Sequence, residues 1–348
     1  MKLSLLYRWG CHLVGLLLMC SANVACYETT IPSWDIYKER FITAEGRVVD
    51  TGNNDVSHSE GQGWGMILAL AADDRETFES LWSWTQRSLT RRDLRLFSWR
   101  YDPAQTPPVS DPNNATDGDL FIAWALALAA ERWDDPNYRN ASAAIRAEIA
   151  KHLVREVAGY RVLLPGLEGF SAQNYVDLNL SYWFMPALQH FAQLEPGGPW
   201  QSLINDGRRL LEAGRFGVDR LPVDWMRLND DGTVTPSPRF PPRFGFDAVR
   251  IPLYFSWVGF RGDGGLAGIA AFWQAGTQSP AWIDVTNGER APFPVSQGVA
   301  GVQALLSGRT PTVSMTALRQ EDYYSSSLLL LSHLAASKAL VQGSSAGN

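Results

Sequence analysis

Apolar positions recur along this 348-residue chain at intervals of three and four, and only rarely in strict alternation. That spacing predicts helices over Ser33–Phe41, Glu60–Ala72, Arg75–Leu89, Asp117–Trp133, Tyr138–Val157, Leu180–Leu194, Trp200–Ala213, Phe246–Phe260, Leu266–Ala275, Val295–Leu306 and Asp322–Leu340. They are of two kinds. "GMILALAA", "DLFIAWALALAA" and "SSSLLLLSHLAA" are apolar nearly all round, as helices buried on most sides must be. "RETFESLWSWTQRSL" keeps a polar face and belongs to an outer layer. Alternation of the two kinds through one long chain predicts an all-α fold of helical hairpins packed as a ring or toroid. A doubly wound α/β fold would need repeated Val- and Ile-rich strands, which are absent.

Strand-like pieces are few: "YRVLLPG" near Tyr160, "VDWMRL" before the turn "NDDGT", and "AWIDVTNGE" near Trp282. They read as small hairpins decorating loops. "DPAQTPPVSDPNN" and "TPSPRFPPRFG" are long, Pro-rich loops of the sort that line a functional rim. No fixed-period repeat and no linker divides the chain, so residues 26–340 read as a single domain and 341–348 as a disordered tail. At the other end, Lys2 and Arg8 flank the apolar run "CHLVGLLLMC", too short to span a bilayer comfortably, with small residues following in "SANVAC". Residues 1–25 are therefore expected to be a signal peptide cleaved after Ala22 or Ala25, and the protein to be periplasmic or secreted. No later run is long enough for a membrane span in the mature chain.

Composition sharpens this. Removal of Cys11 and Cys20 with the signal leaves only Cys26, so no internal disulfide can form. Removal of Lys2 and Arg8 takes the formal charge from −6 to −8, a poor balance for binding nucleic acid. The 14 Trp, 11 Tyr and 15 Phe suit the apolar faces of sugar rings, although a Trp-rich core accounts for the same excess.

Acidic residues stand at the heads of three nearly uncharged helices. Glu60 lies in "SEGQGWGM", Asp117 and Asp119 in "NNATDGDLFIAWALA", and Asp247 in "RFGFDAVRIPLYFSW". One such carboxylate ordinarily caps its helix. Three of them predict convergence on a shared pocket.

These stretches, in this order and together with "LNLSYWFMPAL", resemble glycoside hydrolase family 8, particularly its bacterial cellulose-synthesis endoglucanase branch. The likeness runs from about Trp34 to Leu340. It implies an (α/α)6 toroid of six inner and six outer helices. It also implies inverting hydrolysis of a β-1,4-linked glucan (cellulose), xylan or chitosan, with no cofactor and no metal, and a partnership with a cellulose synthase complex. Carried over by position, the resemblance makes Glu60 the general acid and Asp247 the general base. Asp117 becomes the residue that binds and distorts the sugar, and Arg250 and Tyr182 those that orient the base and its water. Trp64 stands where the family commonly has Tyr, and Leu180 where it has Pro.

The chemistry suits those residue types. Glycosidic cleavage needs a proton on the departing oxygen, and inversion needs a water activated from the opposite ring face by a carboxylate roughly 6.5–9.5 Å from the acid. Glu60, beside Trp64 and apolar neighbours, is expected to be desolvated and to hold its proton; a base near Arg250 is expected to stay ionised. Arg250 lies three residues after Asp247, on the same helix face. Gly61, Gly63 and Gly65 are expected to let a glucan chain pass close to the backbone. Trp64 and Trp99 are expected to contact sugar, with Tyr101, Trp183 and Trp225 as further platforms. His58, two residues before Glu60, is a supporting candidate, and the five histidines show no metal-ligand spacing. Two alternatives stay open: a xylanase or chitosanase on the same scaffold, and a non-catalytic glucan-binding protein, which would not need an acid and base pair.

Overall fold

The computed structural model describes residues 33–276, 278–338 and 340; the expected signal peptide, Cys26 and the tail 341–348 lie outside them. Its α-helices are α1 (Trp34–Phe41), α2 (Ser59–Ala71), α3 (Arg75–Leu89), α4 (Thr116–Trp133), α5 (Pro136–His152), α6 (Met185–Leu194), α7 (Trp200–Ala213), α8 (Ile251–Trp257), α9 (Gly264–Gln274), α10 (Gln297–Leu306), α11 (Met315–Gln320) and α12 (Tyr323–Ser337). The even-numbered helices form a closed ring. α2 packs on α4, α4 on α6, α6 on α8, α8 on α10, α10 on α12, and α12 returns to α2. Outside it α3 lies against α2, α5 against α4, α7 against α6 and α9 against α10, while α1 and α11 pack on each other. The architecture is an (α/α)6 barrel.

Polarity explains the sorting. In α2, α4 and α12 nearly every residue is buried, so these helices are enclosed by neighbours. Two of the outer helices begin at side-chain caps: Asp74 accepts from Thr77 N at 3.0 Å to start α3, and Asp135 accepts from Asn137 N at 2.9 Å ahead of Pro136 in α5. Seven of the thirteen described tryptophans are buried, so the aromatic excess is largely core.

The glycines of "SEGQGWGM" serve this packing, and the expectation that they make room for a glucan chain is overturned. All three are buried in α2. A Cβ on Gly63 would overlap that of Phe121 and press within 3.1 Å of the Ile122 nitrogen on α4; one on Gly61 would come within 2.7 Å of the Tyr323 hydroxyl on α12. Gly118 answers from α4, where a Cβ would lie 2.8 Å from the Glu60 nitrogen. Small residues on both helices thus let α2 sit close to its two ring neighbours.

Three helix boundaries differ from the periodicity. The helix expected over Tyr138–Val157 stops at His152, because Ala158 and Gly159, both at positive φ, form a two-residue turn that pairs β3 (Val154–Val157) with β4 (Tyr160–Leu163). In the stretch expected as Leu180–Leu194, Leu180–Tyr182 is one 3-10 turn fixed by Asn179, whose Oδ1 accepts from Ser181 N at 3.0 Å; α6 begins at Met185. In the stretch Phe246–Phe260, Ala248–Arg250 is likewise a 3-10 turn, and α8 begins after it with Pro252 in its first turn. The short α11 had no periodic signal. The three strand pieces read from the sequence are β4, β6 (Met226–Asn229) and β9 (Ile283–Asp284); their partners and one further pair were not foreseen. β5 (Tyr175–Leu178) joins β6 and β7 (Val234–Pro236), and β1 (Ser57–His58) pairs with β2 (Arg100–Tyr101). β8 (Arg243–Phe244) pairs with β9.

Candidate active site

The acidic positions converge. Glu60 lies in the first turn of α2, Asp117 in the first turn of α4, Tyr182 just ahead of α6 and Asp247 just ahead of α8. All therefore stand at the N-terminal ends of inner helices, on one rim of the ring. None of α2, α4 and α8 has a side-chain cap, so Glu60 and Asp247 are not spent on satisfying helix ends.

Their common partner is Arg250. Its Nη1 donates to Glu60 Oε2; its Nη2 donates to Asp247 Oδ1 at 2.6 Å and to Ser181 Oγ at 2.9 Å; Asp117 Oδ2 lies 3.9 Å from Nη1. The guanidinium is 3% exposed and stands 5.9 Å over the Trp64 ring. Two carboxylates hydrogen-bonded to one guanidinium have their bonded oxygens no more than about 8 Å apart. Arg250 and Asp247 thus pair as their i, i+3 spacing implied. The surroundings of Glu60 are a correction: a buried cation, rather than a set of apolar side chains, meets its carboxylate.

The charge balance of the cluster also departs from expectation. Burial raises Asp117 to about 7, against two backbone N–H contacts that lower it. Burial, followed by the charges of Asp224 and Asp117, raises Asp247 well above the usual carboxylate range; Asn179 and Trp225 oppose this. Because 30% of the Asp247 side chain remains exposed, solvent tempers the effect of burial and the two acidic neighbours matter all the more. The base expected to be ionised by Arg250 therefore binds protons tightly in the free protein, since one guanidinium faces several carboxylates. Asp117 and Asp247 thus both hold their protons more readily than free carboxyls do. Tyr182 is raised by burial and by Asp117 and Asp247, so its hydroxyl keeps its proton and can donate.

Trp64 is not a sugar platform. It sits one turn deeper than Glu60, is fully buried, and packs against Phe121, Tyr323 and Tyr324 beneath Arg250. Trp183 is fully buried as well, and Tyr101 packs edge-on against Trp84. Trp225, half-buried, stacks with Phe170 and Phe240 at 5.4 and 4.3 Å with nearly parallel planes, so aromatic side chains of this protein occupy its ring surface. Trp99 keeps the properties of a contact surface. It is half-buried, its indole nitrogen donates to Asp111 at 2.9 Å, and His58 stacks against it at 5.9 Å. Burial, then Arg100 and Arg250, lowers His58 to about 4, so it is a neutral support for Trp99.

Sequence reasoning missed Asp224, Ser181 and Tyr324. Asp224 Oδ1 accepts from the nitrogens of Gly245, Asp247 and Ala248 at 3.0, 3.2 and 2.7 Å. Its signal was a lone carboxylate between Val223 and Trp225 in "PVDWMRL". Asp119, fully buried, accepts from Phe97 N at 2.9 Å and Asn114 Nδ2 at 2.7 Å, tying the segment leading to Trp99 onto α4. Among the described residues there is no cluster of three or more His, Cys, Asp or Glu able to hold a metal ion, and no helix long and apolar enough to cross a membrane.

Residues 5–338 match the model of the family described as glycosyl hydrolases family 8. An endoglucanase of Cellulomonas uda is 43% identical over 282 residues, covering 79% of this chain and 77% of that protein. A probable endoglucanase of Novacetimonas hansenii is 39% identical over 322 residues, 90% and 93% of the two. The crystal structure of a family 8 endoglucanase from Klebsiella pneumoniae superposes with a TM-score of 0.83 at 41% identity, covering 89% of this chain and 99% of that one.

Proposed function

The chain belongs to glycosyl hydrolases family 8 and is an endo-β-1,4-glucanase, and from that premise we propose that it cuts cellulose chains with inversion, Glu60 acting as acid and Asp247 as base. The observation that carries the assignment is the single guanidinium of Arg250 shared by these two carboxylates, which come from opposite parts of the sequence and cap no helix.

A glucan laid across the rim brings its glycosidic oxygen to Glu60. The Glu60 proton passes to that oxygen as the C1–O bond breaks; a water on the far ring face bonds to C1 and gives its proton to Asp247. The new hydroxyl stands opposite to the bond that was lost. Asp117, buried at the helix end between them, is placed to bind the sugar at the cleavage point, and the Tyr182 hydroxyl to hold the water. Arg250 stabilises the ionised form of whichever carboxylate lacks a proton, and Asp247 must be ionised to accept one. Trp99, fixed by Asp111 and His58, supplies a flat face for a neighbouring glucose unit.

Proton NMR of the first anomer released from a cello-oligosaccharide tests this. The α-anomer is expected first; the β-anomer first would refute inversion. Glu60→Gln should nearly abolish hydrolysis of soluble carboxymethylcellulose with an unchanged circular dichroism spectrum, and wild-type turnover would refute the acid. Cellulose should outrun xylan and chitosan in the same assay. Export is supported by the charged and apolar pattern of the first 25 residues, and a mature chain starting at Asn23 or Cys26 is expected. Work beside a cellulose synthase rests on the likeness of the sequence motifs to the cellulose-synthesis branch.

A further inference from the structure

Asp224 precedes β6, some 20 residues ahead of Asp247 in the sequence, yet its carboxylate is turned onto the segment that carries Asp247. One oxygen takes all three free N–H groups of Gly245, Asp247 and Ala248. This is the cap that the 3-10 turn Ala248–Arg250 does not get from its own N-cap side chain. The backbone of Asp224 is fixed to the same segment, since its nitrogen donates to Arg243 O at 2.7 Å. The other oxygen packs against Gly245, where a Cβ would lie 2.7 Å from it.

We propose that Asp224 is the positioning residue of the catalytic base, capping the turn that presents Asp247 and setting a second negative charge beside its carboxylate. The proposal rests on the reading of Asp247 as base. Capping alone would not call for a charge, because the oxygen of an asparagine accepts the same three N–H groups. A buried carboxylate is costly next to another one, so its use here points to its charge.

The groups facing Asp247 come from every side of the pocket. Arg250 lies on its own turn; Asn179, Ser181 and Tyr182 lie ahead of α6; Asp117 lies on α4, and Glu60 on α2 across Arg250. Tyr324 of α12 donates to the Phe246 carbonyl, and Trp225 follows Asp224 itself. Arg243 faces Asp224 and partly offsets its charge. Only Arg250 and Arg243 are cationic in this set, so the negative charge of Asp224 makes Asp247 the stronger base.

The test compares the pH dependence of kcat/KM on a soluble cello-oligosaccharide for wild type, Asp224→Asn, Asp224→Glu and Asp247→Asn, each checked for folding by circular dichroism. Asp224→Asn keeps the cap and removes the charge. Its acidic limb should move about one pH unit lower, with kcat down roughly 10-fold and KM little changed. Asp224→Glu keeps the charge and displaces the cap, so its kcat should fall while the limb stays in place. An unmoved limb in Asp224→Asn overturns the proposal, as does a limb that moves in Asp224→Glu. Loss in Asp224→Asn as complete as in Asp247→Asn would make Asp224 a reacting group and overturn it too. Wild-type turnover in Asp247→Asn would instead sink the reading of Asp247 as base, whatever Asp224 does.

Discussion

Asp117→Asn should make the protein more stable and less active, and the stability gain should depend on pH. The carboxyl of Asp117 is 3% exposed and raised by burial from 3.8 to about 7. At about 1.4 kcal/mol per pH unit, this costs the folded chain about 4 kcal/mol once both folded and unfolded forms are ionised. Asp117, Asp224 and Asp247 exchange protons as a set, so the part removed with Asp117 alone is about 2 kcal/mol. Below about pH 4 both folded and unfolded chains hold the proton, and the penalty vanishes. Between about 4 and 7 the unfolded chain gives up its proton while the folded chain keeps it, so stability falls as pH rises; above 7 the penalty is complete. Asparagine retains the oxygen that accepts from Gly118 N at 2.8 Å, so the local turn should survive. Thermal unfolding at pH 8 should show the variant about 4 °C above wild type, with the gap closing toward pH 4. Hydrolysis of carboxymethylcellulose should fall roughly 100-fold. A gain of equal size at both pH values, or a loss of stability at pH 8, would refute the account of a buried, proton-hungry carboxylate.

Other changes should separate the parts of the site. Arg250→Lys has one ammonium for Glu60, Asp247 and Ser181 together, and should lower kcat roughly 100-fold in steady-state assays while the fold persists. Trp99→Ala should raise KM for cello-oligosaccharides about 10-fold with kcat nearly kept, the mark of lost uniform binding. Gly63→Ala drives a methyl into Phe121 and the α4 backbone; it should lower the free energy of chemical unfolding by about 3 kcal/mol and take activity with it.

Much of this could be read from the sequence because the two strongest signals were of long range in meaning but local in form. An all-round apolar helix such as "DLFIAWALALAA" can only be internal, and several of them alternating with amphipathic partners leave few architectures besides a ring. Carboxylates at the heads of such helices then share a rim. What periodicity could not give was direction and neighbourhood. Trp64 reads as a flat face beside Glu60, yet position i+4 of a helix pointing into the barrel lies a turn deeper, where it becomes the floor under Arg250. The three glycines of α2 look like space for a ligand, but their space is filled by Phe121, Val48 and Tyr323. Asp247 seemed neutralised by Arg250 when counted alone; with Glu60, Asp117 and Asp224 brought in from elsewhere, one cation is too few. Asp224 escaped notice because a single acid in a strand-like run ordinarily faces solvent.

The return of α12 onto α2 has a consequence for how the enzyme comes into being. Tyr323 and Tyr324, at the head of α12, wall in Trp64, and Tyr323 packs against Gly61, next to Glu60, the proposed acid, which is made some 260 residues earlier. A ribosome must therefore deliver the chain through Tyr324 before Glu60 has its final surroundings, so nascent chains that stop short of α12 should be inert toward any polymer they meet.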